Sequence, residues 1–252
     1  MSLEQLEQWI REIPPVTRTY MIGAFLTTAA CALDLVSPFS LYFSATLIFQ
    51  KFQFWRLITN FFFFGGSFSL DFLFHMFFLV RYSKQLEENA FRGKTADFFY
   101  FILYGATMMT ILAPFMKLYF LGSSLTFMMV YLWGRRNPYS RMNFLGLFPF
   151  TAPYLPWVLL SFSFVLGNNG TVDLLGIFVG HLYYFLEDVY PRMIQSRYRI
   201  LKTPKILEYL FDSDDPTDVL LEHDNDDDDD DDDDYEDDDG DAGDGDGIDD
   251  NG

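Results

Sequence analysis

The sequence predicts an all-α membrane protein of six transmembrane helices followed by a disordered acidic C-terminal tail. Half of its 252 residues are hydrophobic and 19% are aromatic, with 30 phenylalanines, more apolar surface than a soluble domain can hide. Six apolar stretches approach the length of a bilayer crossing, at about 19–36, 57–80, 97–116, 118–134, 151–167 and 172–190. Charge is segregated as well. The net charge of -19 hides a tail from Asp212 onward with 24 acidic side chains and no Lys or Arg, whereas residues 1–211 carry 17 basic against 12 acidic groups, a net +5. These breaks divide the chain into an N-terminal segment (1–17), a six-span membrane domain (18–191), a basic juxtamembrane segment (192–211) and the polyacidic tail (212–252).

The opening MSLEQLEQWIREIPPVTR places Leu3, Leu6, Trp9 and Ile10 at helical spacing and ends at Pro14-Pro15. It reads as a short amphipathic helix on the cytosolic face, with no cleavable signal expected. The third and fourth stretches are separated by a turn around Pro114 and Lys117, and the fifth and sixth by Gly167-Asn168-Asn169-Gly170. Links this short predict antiparallel helical hairpins. With both termini in the cytosol, 14 basic residues fall on the cytosolic side and only Lys51, Arg56 and Lys117 on the other, the asymmetry the positive-inside rule demands. The sixth stretch is short: 13 uncharged residues separate Asp173 from Glu187, about 20 Å against a hydrocarbon core of about 30 Å. The bilayer must thin there or the helix ends must be wet.

Several motifs offer chemistry. Gly176 and Gly180, one turn apart, make a smooth strip for close helix approach. Asp173 and His181 are polar groups near or within the membrane, and therefore functional candidates. Trp55 and Arg56 follow the greasy loop LYFSATLIFQKFQF, whose composition places it in the membrane interface. In LEENAFRGKTADF, Glu87 and Glu88 stand beside Arg92 and Lys94, Gly93 turns the chain, and Asp97 reads as a helix N-cap, a structural role. Cys31 is a lone, apolar-flanked thiol, so neither an internal disulfide nor a cysteine zinc site is expected. His75, His181 and His223 have no metal-ligand spacing, and no metal or cofactor is expected. Asn169-Gly170-Thr171 is a formal glycosylation sequon in a loop too close to the membrane for ready use.

The ordered blocks IPPVTR (13–18), FQFWRLITNFFFF (52–64), LEENAFRGKTADF (86–98), VYLWGRRNPYSRMNFLG (130–146), APYLPWVLL (152–160), LLGIFVGHLYYFLEDVYP (174–191) and RILKTP (199–204) carry a resemblance. The chain resembles the derlin family, the protease-dead branch of the rhomboid superfamily, from about residue 13 to 212. The resemblance implies a rhomboid-like fold in the endoplasmic reticulum membrane and a role in returning misfolded proteins to the cytosol for degradation. It implies as partners misfolded lumenal or membrane proteins, ubiquitin-ligase complex members, the AAA ATPase valosin-containing protein and membrane lipids, with homo- or hetero-oligomers compatible and no nucleic acid. It also ties Trp55 and Arg56 to substrate engagement and lipid distortion.

An active rhomboid protease needs a serine in a Gly-x-Ser-Gly turn and a histidine three residues before the first glycine of the sixth-span GxxxG. In this chain the nucleophile position is Ser124, within Gly122-Ser123-Ser124-Leu125, and the base position is Asp173. A carboxylate does not replace an imidazole that must take and return the serine proton near neutrality. His181, eight residues beyond Asp173, lies about 12 Å along the axis and about 80° around it, out of reach. Ser124 is expected to be a small packing residue that bonds its own backbone. No enzyme activity is therefore expected; the alternative is an intramembrane serine protease using Ser124.

In the tail, nine consecutive aspartates at 226–234 favour solvated disorder, and the order of acids is not that of an EF-hand loop. With no aromatic after Tyr235 and no arginine after Arg199, the Gly-rich motif by which several derlins recruit the ATPase is missing.

Overall fold

The computed structural model describes residues 3–144, 148–194 and 201–211. The polyacidic tail, with its expected disorder, lies outside the described residues. The N-terminal helix α1 spans Leu3–Arg11. After it, Pro14 is extended and Pro15 takes the first turn of α2, Pro15–Ala32, where a missing N–H costs nothing. The remaining orphan donors of α2 are met from far along the chain. Glu87 accepts from the Val16 and Thr17 N–H groups at 3.0 and 2.9 Å and from Thr17 Oγ1 at 2.6 Å. Glu87 is buried, so it is a remote helix cap and not a solvated partner of Arg92 or Lys94.

The greasy loop expected at the membrane interface is partly helical. It folds into short helices α3, Pro38–Leu41, and α4, Ala45–Lys51, with Phe39, Phe49 and Phe52 pointing outward. The stretch 57–80 is not one helix. Its first part is α5, Arg56–Phe62, and helix resumes only at α6, Leu70–Gln85. Gly65-Gly66-Ser67 interrupts the apolar run, and Gly65 has φ 150°, a conformation available to glycine and costly for other residues. A π-helical turn, Leu86–Ala90, follows α6 and carries Glu87.

Helix α7, Thr95–Met116, runs through Pro114 and stops at Lys117, which adopts the left-handed conformation with φ 55°. Its N-cap is Lys94. Asp97 lies in the first turn instead and accepts a hydrogen bond from Thr203 Oγ1, tying the basic juxtamembrane segment back to the helical body. That segment ends in α12, Lys205–Phe211, whose Phe211 ring lies 5.2 Å from Phe99 of α7.

Helix α8, Gly122–Arg136, is the centre of the molecule, buried from Ser124 to Gly134. Beyond it the mostly helical fold carries one short antiparallel hairpin, β1, Arg141–Phe144, and β2, Phe148–Thr151, pairing Met142 with Phe150. A 3-10 turn leads into α9, Leu155–Val165. Helix α10, Gly170–Tyr184, continues through a π turn, Phe185–Val189, into α11, Tyr190–Ile194. Arg136 at the end of α8 holds Asp188 of that turn through two hydrogen bonds of 3.0 and 3.2 Å, the paired geometry that suits a guanidinium to a carboxylate.

Helices α2, α7, α9 and α10 are apolar on both faces. Ala24, Met109, Leu160 and Val179 are buried, while Leu26, Ile111, Val165 and Phe178 are exposed. A helix apolar all round belongs in a large core or in lipid. By length and composition alone, one described helix, Thr95–Met116, is long and apolar enough to cross a membrane; Ala152–Val165 is apolar but shorter.

Candidate functional site

The most extensive helix pair in the structure is α8 with α10, and two glycines allow the approach. A Cβ at Gly176 would lie 2.1 Å from the Ser124 carbonyl oxygen, inside the van der Waals envelope of backbone that cannot swing away. A Cβ at Gly180 would lie 3.1 Å from the Met128 carbonyl oxygen, tight but nearly tolerable. The two glycines therefore differ in strictness, which their identical spacing motif does not reveal.

The same approach brings Ser124 against the backbone of α10. Its hydroxyl is fully buried and donates to the Val172 carbonyl of α10 at 2.5 Å, across the helix pair and not to its own backbone. Asp173 is 2% exposed, with Oδ1 accepting from Ser123 Oγ and Oδ2 accepting from Ser163 Oγ of α9 at 2.5 Å. Ser124 and Asp173 are thus neighbours that do not bond each other. His181 sits three turns down α10 from the start, exposed, with Nδ1 2.6 Å from the Tyr131 hydroxyl. Arg135 Nε donates to that hydroxyl at 2.9 Å.

Around Asp173 the structure assembles a polar cluster that no single motif announces. The N-terminal turns of α6, α8 and α10 converge there, bringing Asp71, Ser123 and Asp173 together. His75, one turn after Asp71, has Nε2 3.0 Å from Ser123 Oγ and Nδ1 2.9 Å from the Asp71 carbonyl oxygen and 3.4 Å from Asp71 Oδ1. Asn168 Nδ2 donates to Asp71 Oδ1 at 2.6 Å. These groups line a cavity of about 200 Å³ together with Phe63, Phe64 and Phe120; the Phe63 and Phe120 rings stack 4.2 Å apart. Among the described residues, no group of three or more His, Cys, Asp or Glu is arranged to hold a metal ion.

Sequence reasoning placed His75 on the second span and left it without partners. A usable signal existed: Asp71 and His75 are four apart in an apolar run and so share one helix face. Their meeting with Ser123, 48 residues on from His75, is a product of tertiary structure.

Trp55 and Arg56 part company in the structure. Trp55 is 53% exposed, while Arg56 is only 6% exposed. The Arg56 guanidinium donates to Gln53 Oε1 at 2.7 Å and to the carbonyls of Phe39 and Tyr42 at 3.0 and 2.9 Å, and it lies 4.7 Å over the Tyr42 ring. It braces the loop from inside.

Comparison with known proteins now places this arrangement. A family model described as the Der1-like family matches residues 13–205. The chain belongs to the derlin family. It is 51% identical over 232 residues to "Derlin-2.2" of Arabidopsis thaliana, covering 88% of this chain and 93% of that one. It is 52% identical over 222 residues to "Derlin-2" of Oryza sativa subsp. japonica, covering 84% and 88%. With the "Probable derlin-2 homolog" of Dictyostelium discoideum it shares 45% over 216 residues, covering 83% and 84%. The derlin match takes in α2 through α11 and therefore the glycine strip, the polar cluster and the Arg56 brace together.

Proposed function

We propose that the protein is a non-catalytic derlin of the endoplasmic reticulum membrane, crossing it six times with both termini in the cytosol, that assists retrotranslocation of misfolded proteins to the cytosol for degradation. The observation that carries the non-catalytic reading is the fate of the two protease positions. Ser124 Oγ donates a hydrogen bond to the Val172 carbonyl, and the base position is Asp173, whose two oxygens accept from Ser123 and Ser163. A hydroxyl bonded to a carbonyl, with no imidazole in contact, has nothing to remove its proton. A protease acting through Ser124 is thus disfavoured.

Membrane thinning is the physical core of the proposed mechanism. Helix α8 has 15 residues and α9 has 11, or about 22 and about 17 Å of rise against a hydrocarbon core of about 30 Å, and although α10 runs on into α11 its uncharged stretch between Asp173 and Glu187 covers only about 20 Å. A bilayer drawn in around short helices lowers the barrier for polar backbone, each unsatisfied group of which costs several kcal/mol in full-thickness hydrocarbon. The exposed Trp55 and the outward Phe39, Phe49 and Phe52 supply an interfacial anchor on the lumenal side, held in shape by Arg56. Ubiquitin-ligase members and the valosin-containing ATPase are the partners this role calls for.

A pulse-chase of a misfolded lumenal reporter, with and without the protein, tests the role. Clearance should slow when the protein is removed and also in Trp55→Ala. Clearance indifferent to the protein's presence would overturn the proposal.

A further inference from the structure

Between α6, the β-hairpin and the start of α9 lies a cavity of about 400 Å³ for which the derlin role has no use so far. Its walls are mostly apolar, with Leu70, Leu73 and Phe77 from α6, Phe150 from β2 and Leu155 from α9. Arg81 and Asn143 make the lining polar at one end. The hairpin closes that end, since the Tyr82 hydroxyl, next to Arg81, reaches Met142 Sδ at 3.9 Å, next to Asn143. On α6 the lining runs from Leu70 to Arg81, about 16 Å of helical rise. Spread over that length, the volume is a channel roughly 25 Å² in section, the width of one hydrocarbon chain whose carbons meet their neighbours at about 4 Å. A polypeptide helix about 10 Å across would need roughly 1,300 Å³ over the same length. Size therefore selects a single chain.

Charge at the polar end is an independent observation. On a helix the ion-pair partners of Arg81 stand three and four residues away, and those positions hold Phe77, Phe78, Lys84 and Gln85. The next two acids are engaged elsewhere, Glu87 in capping α2 and Glu88 with Lys84 at 3.5 Å. The hairpin and α9 supply none, because residues 98–172 contain no Asp or Glu. Arg81 is exposed, as is Arg141 at the start of β1, and among the described residues neither forms an ion pair. The Arg81 guanidinium lies 5.8 Å over the ring of Phe77, itself part of the cavity wall. An apolar channel thus ends at an uncompensated cation.

We propose that the cavity holds one acyl chain of an acidic glycerophospholipid from the cytosolic leaflet, with the lipid phosphate on Arg81 and Asn143 and the chain running toward Leu70. The proposal rests on the six-span derlin reading, which puts Arg81 at the cytosolic surface. The lengths agree: one leaflet is about 15 Å of hydrocarbon, half of about 30 Å, against the 16 Å or so lined by α6. A guanidinium offers phosphate two parallel N–H donors, and the Asn143 amide adds another. A headgroup of net negative charge is favoured over a zwitterionic one, whose ammonium Arg81 and Arg141 repel. The lipid fills a gap between α6 and α9 that no side chain of the protein fills.

The test uses the full-length protein in phosphatidylcholine liposomes containing a small fraction of phosphatidylserine with a photoactivatable diazirine on one acyl chain. After irradiation, cross-links should map to the peptides that hold Leu70, Leu73 and Leu155. Arg81→Ala should lower them about tenfold, the scale of one hydrogen-bonded charge, and Arg81→Lys should fall between. Leu73→Trp, which fills the channel with Arg81 intact, should lower them as well. Labelling of α7 should not change in these variants, which shows that they are folded; if Arg81→Ala loses it, Leu73→Trp decides the same question. Diazirine phosphatidylcholine at the same fraction should label the cavity several-fold less. Unlabelled phosphatidylserine should compete, and diacylglycerol, which has the chains and no phosphate, should not. Parental labelling in Arg81→Ala, equal labelling by the two phospholipids, or equal competition by diacylglycerol overturns the proposal. Displacement by an uncharged leucine-alanine transmembrane peptide overturns it too and makes the cavity a polypeptide groove. The reporter pulse-chase is read separately: clearance that depends on the protein, with no labelling that depends on Arg81, leaves the derlin role standing and removes only the lipid site.

Discussion

The two flanks of α8 are packed by opposite rules. On one flank α10 lies against it backbone to backbone, with glycines at 176 and 180 facing the carbonyls of Ser124 and Met128. On the other flank lies α6, and between α6, the β-hairpin and the start of α9 is an apolar cavity of about 400 Å³ walled by residues such as Leu73, Phe74, Phe77 and Leu155. Tight backbone contact has two discrete outcomes, fitting or parting, whereas a wall of rotatable aromatic side chains has many. The α8–α10 flank is therefore the fixed frame of the molecule, and the cavity side of α6, facing the hairpin and α9, its compliant part.

The sharpest way to break this contrast is Gly176→Ala. The new methyl would meet the Ser124 carbonyl at 2.1 Å, so α8 and α10 must part by roughly an ångström. The expected loss is about 3 kcal/mol, the upper end of the overpacking range, read as lowered resistance to unfolding in mixed micelles. At Gly180 the same methyl meets its neighbour at 3.1 Å, and the gain of about 1 kcal/mol in helix propensity offsets the squeeze. Gly180→Ala should therefore be close to parental, while Gly180→Leu should express with its spans inserted but clear the misfolded reporter slowly. Equal losses for the two alanine variants would mean that the two contacts are not as different as their distances.

How much of this was legible beforehand follows from the same contrast. The α8–α10 contact announced itself, because the GxxxG spacing of Gly176 and Gly180 is local and a helix converts spacing directly into a face. The ranking of the two glycines was not legible, since it depends on where α8 carbonyls fall. The break at Gly65-Gly66 was written in the sequence but hidden by the phenylalanines around it, which a hydropathy window averages together. The strands 141–144 and 148–151 lie between the fourth and fifth apolar stretches, where no strand was expected. Arg56 looked like an interfacial side chain because its neighbours are aromatic; its burial comes from carbonyls of Phe39 and Tyr42 left unpaired by the ends of short helices. The polar cluster needed three helix ends from distant parts of the chain, which no spacing rule encodes.

A smaller effect is expected at Ser124. Serine to alanine removes the hydroxyl and leaves the Val172 carbonyl without its 2.5 Å donor, a loss of about 1–2 kcal/mol for a buried acceptor. Reporter clearance should stay within error of the parent, because the hydroxyl binds a backbone and activates nothing. Loss of clearance in Ser124→Ala at normal expression, together with labelling of Ser124 in the parent by a fluorophosphonate, would restore the protease reading and dissolve the distinction between frame and active centre.

The smallest effect belongs to the compliant flank, at Leu73→Phe. Leu73 is more than half exposed and borders the 400 Å³ cavity on α6, so the larger ring has apolar space into which it can turn without forcing a backbone apart. Helix propensity falls only slightly from leucine to phenylalanine, and added apolar contact with Phe74 or Phe77 works in the other direction. The change in unfolding free energy should lie within about 0.5 kcal/mol, the range of substitutions that meet no rigid neighbour. The comparison with Gly176→Ala is the decisive one. A single methyl at the frame should cost several times more than the leucine-to-phenylalanine enlargement at the cavity. If Leu73→Phe destabilises the protein as much as Gly176→Ala does, the cavity wall is as rigid as the glycine contact, and the division of the molecule into fixed and compliant flanks fails.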